Sequence, residues 1–122
     1  MVANTLSKSE FEIGVVEVVG DAICVSQDDG QRLFEVLRGA LDSGQNVALS
    51  FVGVRTLTTA FLNAAVGQLL RFYSSDELRA RVLFRALSGE QVKMLREVIE
   101  RAGHYFSDPE RFVAATAGAL GD

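Results

Sequence analysis

Residues 47–54 of the chain read VALSFVGV. Successive side chains of a strand point to opposite faces. Here both faces are apolar, with Val47, Leu49 and Phe51 on one and Ala48 and Val52 on the other. A strand that is apolar on both sides is typical of a sheet interior with helices packed against it. We therefore predict an α/β fold in which this stretch is a central strand.

Upstream of this stretch, the sequence predicts a β-hairpin and then a helix. Residues 11–19 are rich in valine and isoleucine, residues 22–25 form a second apolar run, and Gly20-Asp21 between them is typical of a tight turn. A helix is expected to begin after Ser26 and to end at Gly44. Its apolar stripe consists of Leu33, Leu37 and Leu41.

Downstream, the pattern predicts a helix over residues 60–73, a strand over residues 82–87 and then another helix. Ser88 with Gln91 three positions later is typical of a capping box, so the last of these helices is expected to run from there to about residue 102. We expect its core face to carry Val92, Leu95, Val98 and Ile99, and its solvent face to carry Lys93, Arg96, Glu97 and Glu100.

A short final helix is expected after Ser107, where Pro109 would occupy its first position. The complete order is then β-β-α-β-α-β-α-α. It predicts a small mixed sheet with a β-hairpin at its start, parallel βαβ crossovers and helices packed on the sheet.

The segment 49–71, LSFVGVRTLTTAFLNAAVGQLLR, resembles the STAS-like domains, small bacterial proteins related to the anti-sigma-factor antagonists. In that family a strand leads through Gly-Val and a hydroxyl pair into a helix that opens with Phe-Leu and later carries Gly-x-Leu. The matching residues here are Gly53-Val54, Thr58-Thr59, Phe61-Leu62 and Gly67-Gln68-Leu69. The resemblance covers about residues 20–106. The chain departs from the family pattern at Ser50, where Asp is common, and at Asn63 and Ala64, where acidic residues are frequent.

The resemblance implies a site at the start of the second helix. In the antagonists a partner kinase phosphorylates a hydroxyl there, and the phosphate blocks binding. The phosphorylated residue of the antagonists is a serine that follows an aspartate. The serine corresponds to Thr59 and the aspartate to Thr58, so both threonines are candidate phosphoacceptors or partner contacts. Arg55, Asn63 and Gly67 are the candidate partner surface. A phosphate at this point would add about −1.5 to −2 charge at a helix N-terminus, which accommodates negative charge.

Structural roles remain open for the same residues. A threonine before an apolar helix is typical of an N-cap. A glycine inside the predicted helix at position 67 lowers its stability relative to alanine, and close packing of the helix on the central strand would explain it. Asn63 and Gly67 would otherwise belong to a solvated face.

The composition argues against several classes of function. The net charge is −4 and the basic residues do not cluster, so neither nucleic acid nor an anionic membrane surface is an expected partner. No apolar run approaches the roughly 20 residues of a membrane span. Cys24 and His104 are the only residues of their types, and no glycine-rich phosphate loop is present. We therefore expect no metal, no cofactor and no catalytic residues.

Residues 1–10 are expected to be a flexible leader and residues 11–118 a single STAS-like domain. The leader lacks an apolar secretory core, and one cysteine forms no internal disulfide, so a cytoplasmic location is expected.

The leading hypothesis for function is a non-enzymatic regulatory or signalling domain that binds a protein partner. By the resemblance, this partner is a histidine-kinase-like ATPase or another regulator. One alternative is a self-associating structural domain, for example a homodimer. Another is a sensor that holds a small ligand beside the second helix.

Overall fold

The computed structural model describes residues 10–107. The strands are β1 (Glu10–Gly14), β2 (Ile23–Cys24), β3 (Asn46–Ser50), β4 (Thr56–Leu57) and β5 (Val82–Arg85). The helices are α1 (Val15–Val19), α2 (Gln27–Asp42), α3 (Thr59–Ala65), a 3₁₀ helix (Gly67–Arg71), α4 (Ser75–Arg81) and α5 (Gly89–Ser107). Glu10 of the expected leader begins β1. The rest of the leader, the short helix expected after Ser107 and the domain end at residue 118 lie outside the described residues.

The prediction of a central strand is confirmed. β3 lies between β1 and β5 and pairs with both in parallel. Val47, Ala48 and Leu49 are at most 2% exposed, so side chains on both faces of β3 are buried. Val52, which we expected on the second face, lies beyond the end of β3 and is 69% exposed. Each parallel connection passes through helices, as parallel pairing requires. The α/β fold with parallel crossovers follows.

Among the described residues, the helices pack against one face of the three-stranded sheet. Ile13 and Leu49 are register neighbours on that face, and both belong to the hydrophobic core. The opposite face carries Glu12, Leu83 and Arg85, which are exposed. The core therefore lies between one sheet face and the helical layer.

The predicted β-hairpin is wrong, and so is the mixed sheet within the described residues. The second half of the valine run is the helix α1, and Gly20 (φ 84°) ends it, donating its N–H to the Val16 carbonyl at 2.7 Å. β2 then pairs in parallel with β4 instead of returning along β1. The buried Val15 and Val19 are four positions apart, a spacing that fits both a strand and a helix.

The helix predicted over residues 60–73 is divided in two. α3 ends at Ala65, and the chain continues as the 3₁₀ helix from Gly67. The structure also adds α4, which we did not predict. Its capping box joins the Glu77 N–H to the Ser74 hydroxyl (3.1 Å) and the Ser74 N–H to the Glu77 carboxylate (2.8 Å). The spacing of these two residues is the sequence signal that could have revealed α4.

The capping box predicted before α5 is confirmed. The Gln91 N–H donates to the Ser88 hydroxyl at 3.1 Å, and the Ser88 N–H donates to the Gln91 side chain at 3.0 Å. Leu95 and Val98 are buried as expected, and the four charged residues predicted on the solvent face are exposed. Val92, however, is exposed.

The helices α2 and α3 approach closely at Gly30. A methyl group at this position would lie 2.6 Å from the carbonyl oxygen of Phe61 and 2.7 Å from the Cβ of Ala64. Real side chains do not tolerate such distances, so this crossing requires glycine. The contact fixes α3 against α2.

Arg81 at the end of α4 holds the C-terminal end of α2. Its guanidinium donates to the carbonyls of Leu41 and Gln45, both at 2.8 Å, and to the side-chain oxygen of Asn46 at 3.3 Å. Carbonyls at a helix C-terminus lack intrahelical donors, and a positive charge there is favourable. Arg81 therefore connects α4 to the turn between α2 and β3.

Candidate partner-binding surface

A small parallel sheet positions the start of α3. Ile23 of β2 is the register partner of Thr56 of β4, and the Arg55 N–H donates to the Ala22 carbonyl at 2.9 Å. The chain reaches β4 from the central strand through a turn at Gly53, whose φ of 86° favours glycine. The two-stranded sheet thus fixes the direction in which the chain enters α3.

Thr58 is the N-cap of α3. Its hydroxyl accepts a hydrogen bond from the Phe61 N–H at 3.2 Å and donates one to the Val25 carbonyl at 2.9 Å. The first bond satisfies a free N–H at the helix start. The second joins the helix to the end of β2. The capping role that the sequence left open for either threonine therefore belongs to Thr58.

Thr59, the first residue of α3, differs from its neighbour. It is exposed, and its hydroxyl forms no hydrogen bond with residues 10–107. Arg55 is also exposed, and its guanidinium forms no ion pair within the same described range. A hydroxyl and a cation are thus free to interact at the strand-to-helix step.

Exposed apolar side chains lie beside this step. Ile23 is 42% exposed and Val25 is 37% exposed, although they flank the buried Cys24. Both side chains therefore keep part of their apolar surface open to solvent in the described structure. The sequence indicated a buried strand here, because three apolar residues in a row carry no sign of an exposed face.

Asn63 is exposed one helical turn after Thr59, so the two side chains share a face of α3. Together with the residues just described they form one candidate surface. We call it the β2–α3 surface, and it consists of Ile23, Val25, Arg55, Thr59 and Asn63.

This arrangement can be compared with known proteins. A family model described as a STAS-like domain of unknown function (DUF4325) matches residues 29–92, which is more than half of the chain. The chain belongs to this family. Comparison with curated proteins gave no match, and neither did comparison with solved structures. The matched segment of the STAS-like domain includes Arg55, Thr59 and Asn63.

The assignment of Gly67 to the partner surface is wrong for this STAS-like domain. Gly67 is buried at the start of the 3₁₀ helix. A methyl group there would lie 3.5 Å from a Val98 methyl and 3.7 Å from the Cβ of Ala102, both on α5. The residue therefore packs against α5, and not against the central strand as we expected. The end of α3 at Ala65 turns the following residues towards α5.

Cys24 of the STAS-like domain is buried beneath this surface. Burial raises the pKa of its thiol, and the negative charges of Asp29 and Asp21 act in the same direction. The thiol is therefore held protonated, which is the less reactive form.

Residues 10–107 contain no group of three or more His, Cys, Asp or Glu side chains that could hold a metal ion. In the same range, no helix has the length and apolar character needed to cross a membrane.

Proposed function

We propose that this STAS-like domain is a non-enzymatic regulatory domain that binds a protein partner in the cytoplasm through the β2–α3 surface. One observation carries the proposal: two exposed apolar side chains, Ile23 and Val25, lie beside a threonine whose hydroxyl has no partner among the described residues. Covering apolar side chains removes them from water and favours association. The adjacent hydroxyl offers a point at which that association can be regulated.

We further propose that Thr59 is the regulated residue. The Thr58 hydroxyl is engaged in two hydrogen bonds, whereas Thr59 is exposed. A phosphate on Thr59 would place about −1.5 to −2 charge next to the apolar side chains. A partner that covers them would have to desolvate this charge, which opposes binding. Arg55 has no ion pair among the described residues and is available to pair with the phosphate.

The resemblance to the anti-sigma-factor antagonists supports the kind of partner. In those proteins a kinase phosphorylates a hydroxyl at the equivalent helix start, and the phosphate blocks binding of the partner. By this resemblance the partner of the STAS-like domain is a histidine-kinase-like ATPase or another regulator.

The test begins with affinity purification of the full chain from its native cells, followed by titration of the enriched proteins. We expect Val25→Glu to weaken partner binding at least about 10-fold, because it places a charge within the apolar contact. Val36→Glu on α2 is the matched control, since Val36 is 40% exposed and lies outside the β2–α3 surface. Circular dichroism verifies that both variants fold.

Equal affinity of the two variants for the partner would refute the assignment of the surface. If the wild-type protein enriches no protein that Val25→Glu does not also enrich, protein binding through the β2–α3 surface is refuted.

A further inference from the structure

A groove of about 620 Å³ lies between α4, β5 and α5, away from the β2–α3 surface. Leu83 on β5 and Val92 on α5 line it, and they are 48% and 36% exposed. Phe84, Leu87 and Ile99 also belong to the lining and are only partly buried. The rim of the groove therefore presents apolar surface that stays in contact with solvent in the described structure.

The strand that borders this groove has an open edge. β5 pairs with β3 on one side only, so within residues 10–107 its outer edge has no strand partner. Unpaired backbone groups on an edge strand can pair with other chains, and proteins often prevent this by covering the edge with a helix or a loop. A cover at this position would protect the sheet and also remove the apolar rim from water.

The chain leaves α5 at one end of the groove. Gly103 and His104 belong to the lining, and α5 ends at Ser107, one turn later. From Val92 to His104, α5 borders the groove over about 18 Å. A helix formed by residues 109–120 would also be about 18 Å long. Because antiparallel helices are joined by loops of about 2–5 residues, this segment can turn back and run along the whole groove.

The sequence of residues 109–120, PERFVAATAGAL, suits this position. Pro109 fits the first position of a helix. Phe112, Ala115 and Ala119 recur at helical spacing and would form one apolar stripe. Small alanines allow two helices to approach closely, and Phe112 supplies a large side chain to cover the rim. The segment therefore combines a close fit to α5 with apolar area for the groove.

A cation lies where the end of this segment would be. Arg96 lines the groove, is exposed and forms no ion pair among the described residues. Residues at equal distance from the turn face each other in an antiparallel pair, which puts Ala119 opposite Arg96. Carbonyls at a helix C-terminus lack intrahelical donors and favour a positive charge nearby. Arg81 already serves the end of α2 in this way.

The size of the exposed rim favours a tethered segment over a separate partner. Specific protein complexes bury about 1,200–2,000 Å² in total. Only two large apolar side chains of this groove, Leu83 and Val92, are exposed. A segment joined to α5 by a short turn is held at an effective concentration on the order of millimolar. It loses little translational freedom on binding, so a small contact is enough.

We propose that residues 109–120 form a helix antiparallel to α5 and occupy this groove, with Phe112 beside Ile99. The helix covers Leu83 and shields the outer edge of β5 from other chains. The proposal uses no residue of the β2–α3 surface, so it is tested separately from the proposed function.

Disulfide trapping in the full chain tests this arrangement. The first variant carries Glu100→Cys, an exposed position in the lining, and Ala115→Cys, which lies opposite it in the proposed pair of helices. The matched control combines Ala115→Cys with Arg101→Cys, which is exposed but outside the lining. A disulfide requires Cα atoms within about 7 Å, so the first pair should close with an effective concentration at least about 10-fold higher than the control pair. A free segment would close both loops equally, since they differ by one residue.

Two further pairs of variants, made in the first cysteine background, locate the contact. Phe112→Asp should remove the 10-fold preference, whereas Ala114→Asp, on the opposite face of the proposed helix, should keep it. Val92→Asp in the groove should lower the effective concentration at least about 5-fold. Val36→Asp, at an exposed valine of α2 outside the groove, should not. Circular dichroism verifies that each variant folds.

Three results would overturn the proposal. Equal effective concentrations for the two cysteine pairs would show that the segment does not lie along the groove. A preference that Phe112→Asp removes and Val92→Asp leaves intact would place the segment at another surface. Disulfides that join two chains, in a proportion that rises with protein concentration, would assign the groove to a second copy.

Discussion

Replacement of Thr58 by alanine should destabilise the protein by about 1.5 kcal/mol, whereas replacement of Thr59 by alanine should change stability by less than about 0.5 kcal/mol. The difference follows from the hydrogen bonds. Thr58 loses the capping bond to the Phe61 N–H (3.2 Å), which is worth about 1 kcal/mol. It also loses the bond to the Val25 carbonyl (2.9 Å). Because Val25 is partly exposed, water can replace that donor, and we assign about 0.5 kcal/mol to this second bond.

Urea denaturation followed by circular dichroism measures this difference. For a domain of this size, 1.5 kcal/mol corresponds to a midpoint shift of roughly 1 M urea. Thr58→Ser is the matched control, because serine keeps the hydroxyl and should recover most of the loss. If Thr58→Ala and Thr59→Ala shift the midpoint equally, the distinction between a capping threonine and a free one is wrong.

Three further predictions concern the framework of the site. Gly30→Ala should destabilise the protein by about 1–3 kcal/mol in thermal denaturation, because the added methyl would collide with the backbone of α3. The control is Gly39→Ala on the same helix, where nothing lies within 4 Å; it should stabilise the protein by about 0.5–1 kcal/mol. Leu95→Ala should cost about 2–5 kcal/mol in urea denaturation, and a change below about 0.5 kcal/mol would mean that α5 packs through another face. Arg81→Met should cost about 1.5–3 kcal/mol by the same assay, and a neutral result would show that the end of α2 does not depend on Arg81.

The elements predicted correctly from the sequence are those whose apolar pattern fits only one period. The two-sided apolar stretch of β3 excludes an amphipathic helix. In α2, Leu33, Phe34, Leu37 and Leu41 lie at spacings of three and four positions over about two turns, which a strand does not fit. α1 failed this test because Val15 and Val19 fit either period, and only five residues were available to separate them. α4 has only seven residues, of which Leu78 alone is buried, so it is too short to show an apolar period.

The candidate site was predicted in part. The threonine step could be found because its local pattern resembles a family motif. Which threonine caps the helix depends on a bond to Val25, 33 positions away, and no local pattern shows that contact. The burial of Gly67 and the exposure of Ile23 likewise depend on whether another element covers them. Burial of this kind is set by tertiary contacts, which explains why the sequence alone placed both residues incorrectly.

The most direct test of the proposed function is a calorimetric titration of the purified partner with wild-type protein and with Thr59→Glu. We predict at least about 10-fold weaker binding for Thr59→Glu, with stability unchanged or raised by about 0.3–1 kcal/mol, since a negative charge in the first turn of α3 is favourable. Thr59→Ala should bind within about 2-fold of wild type, which separates charge from loss of the hydroxyl. Equal affinity of wild type and Thr59→Glu, together with no phosphate on Thr59 in cells, would contradict the account.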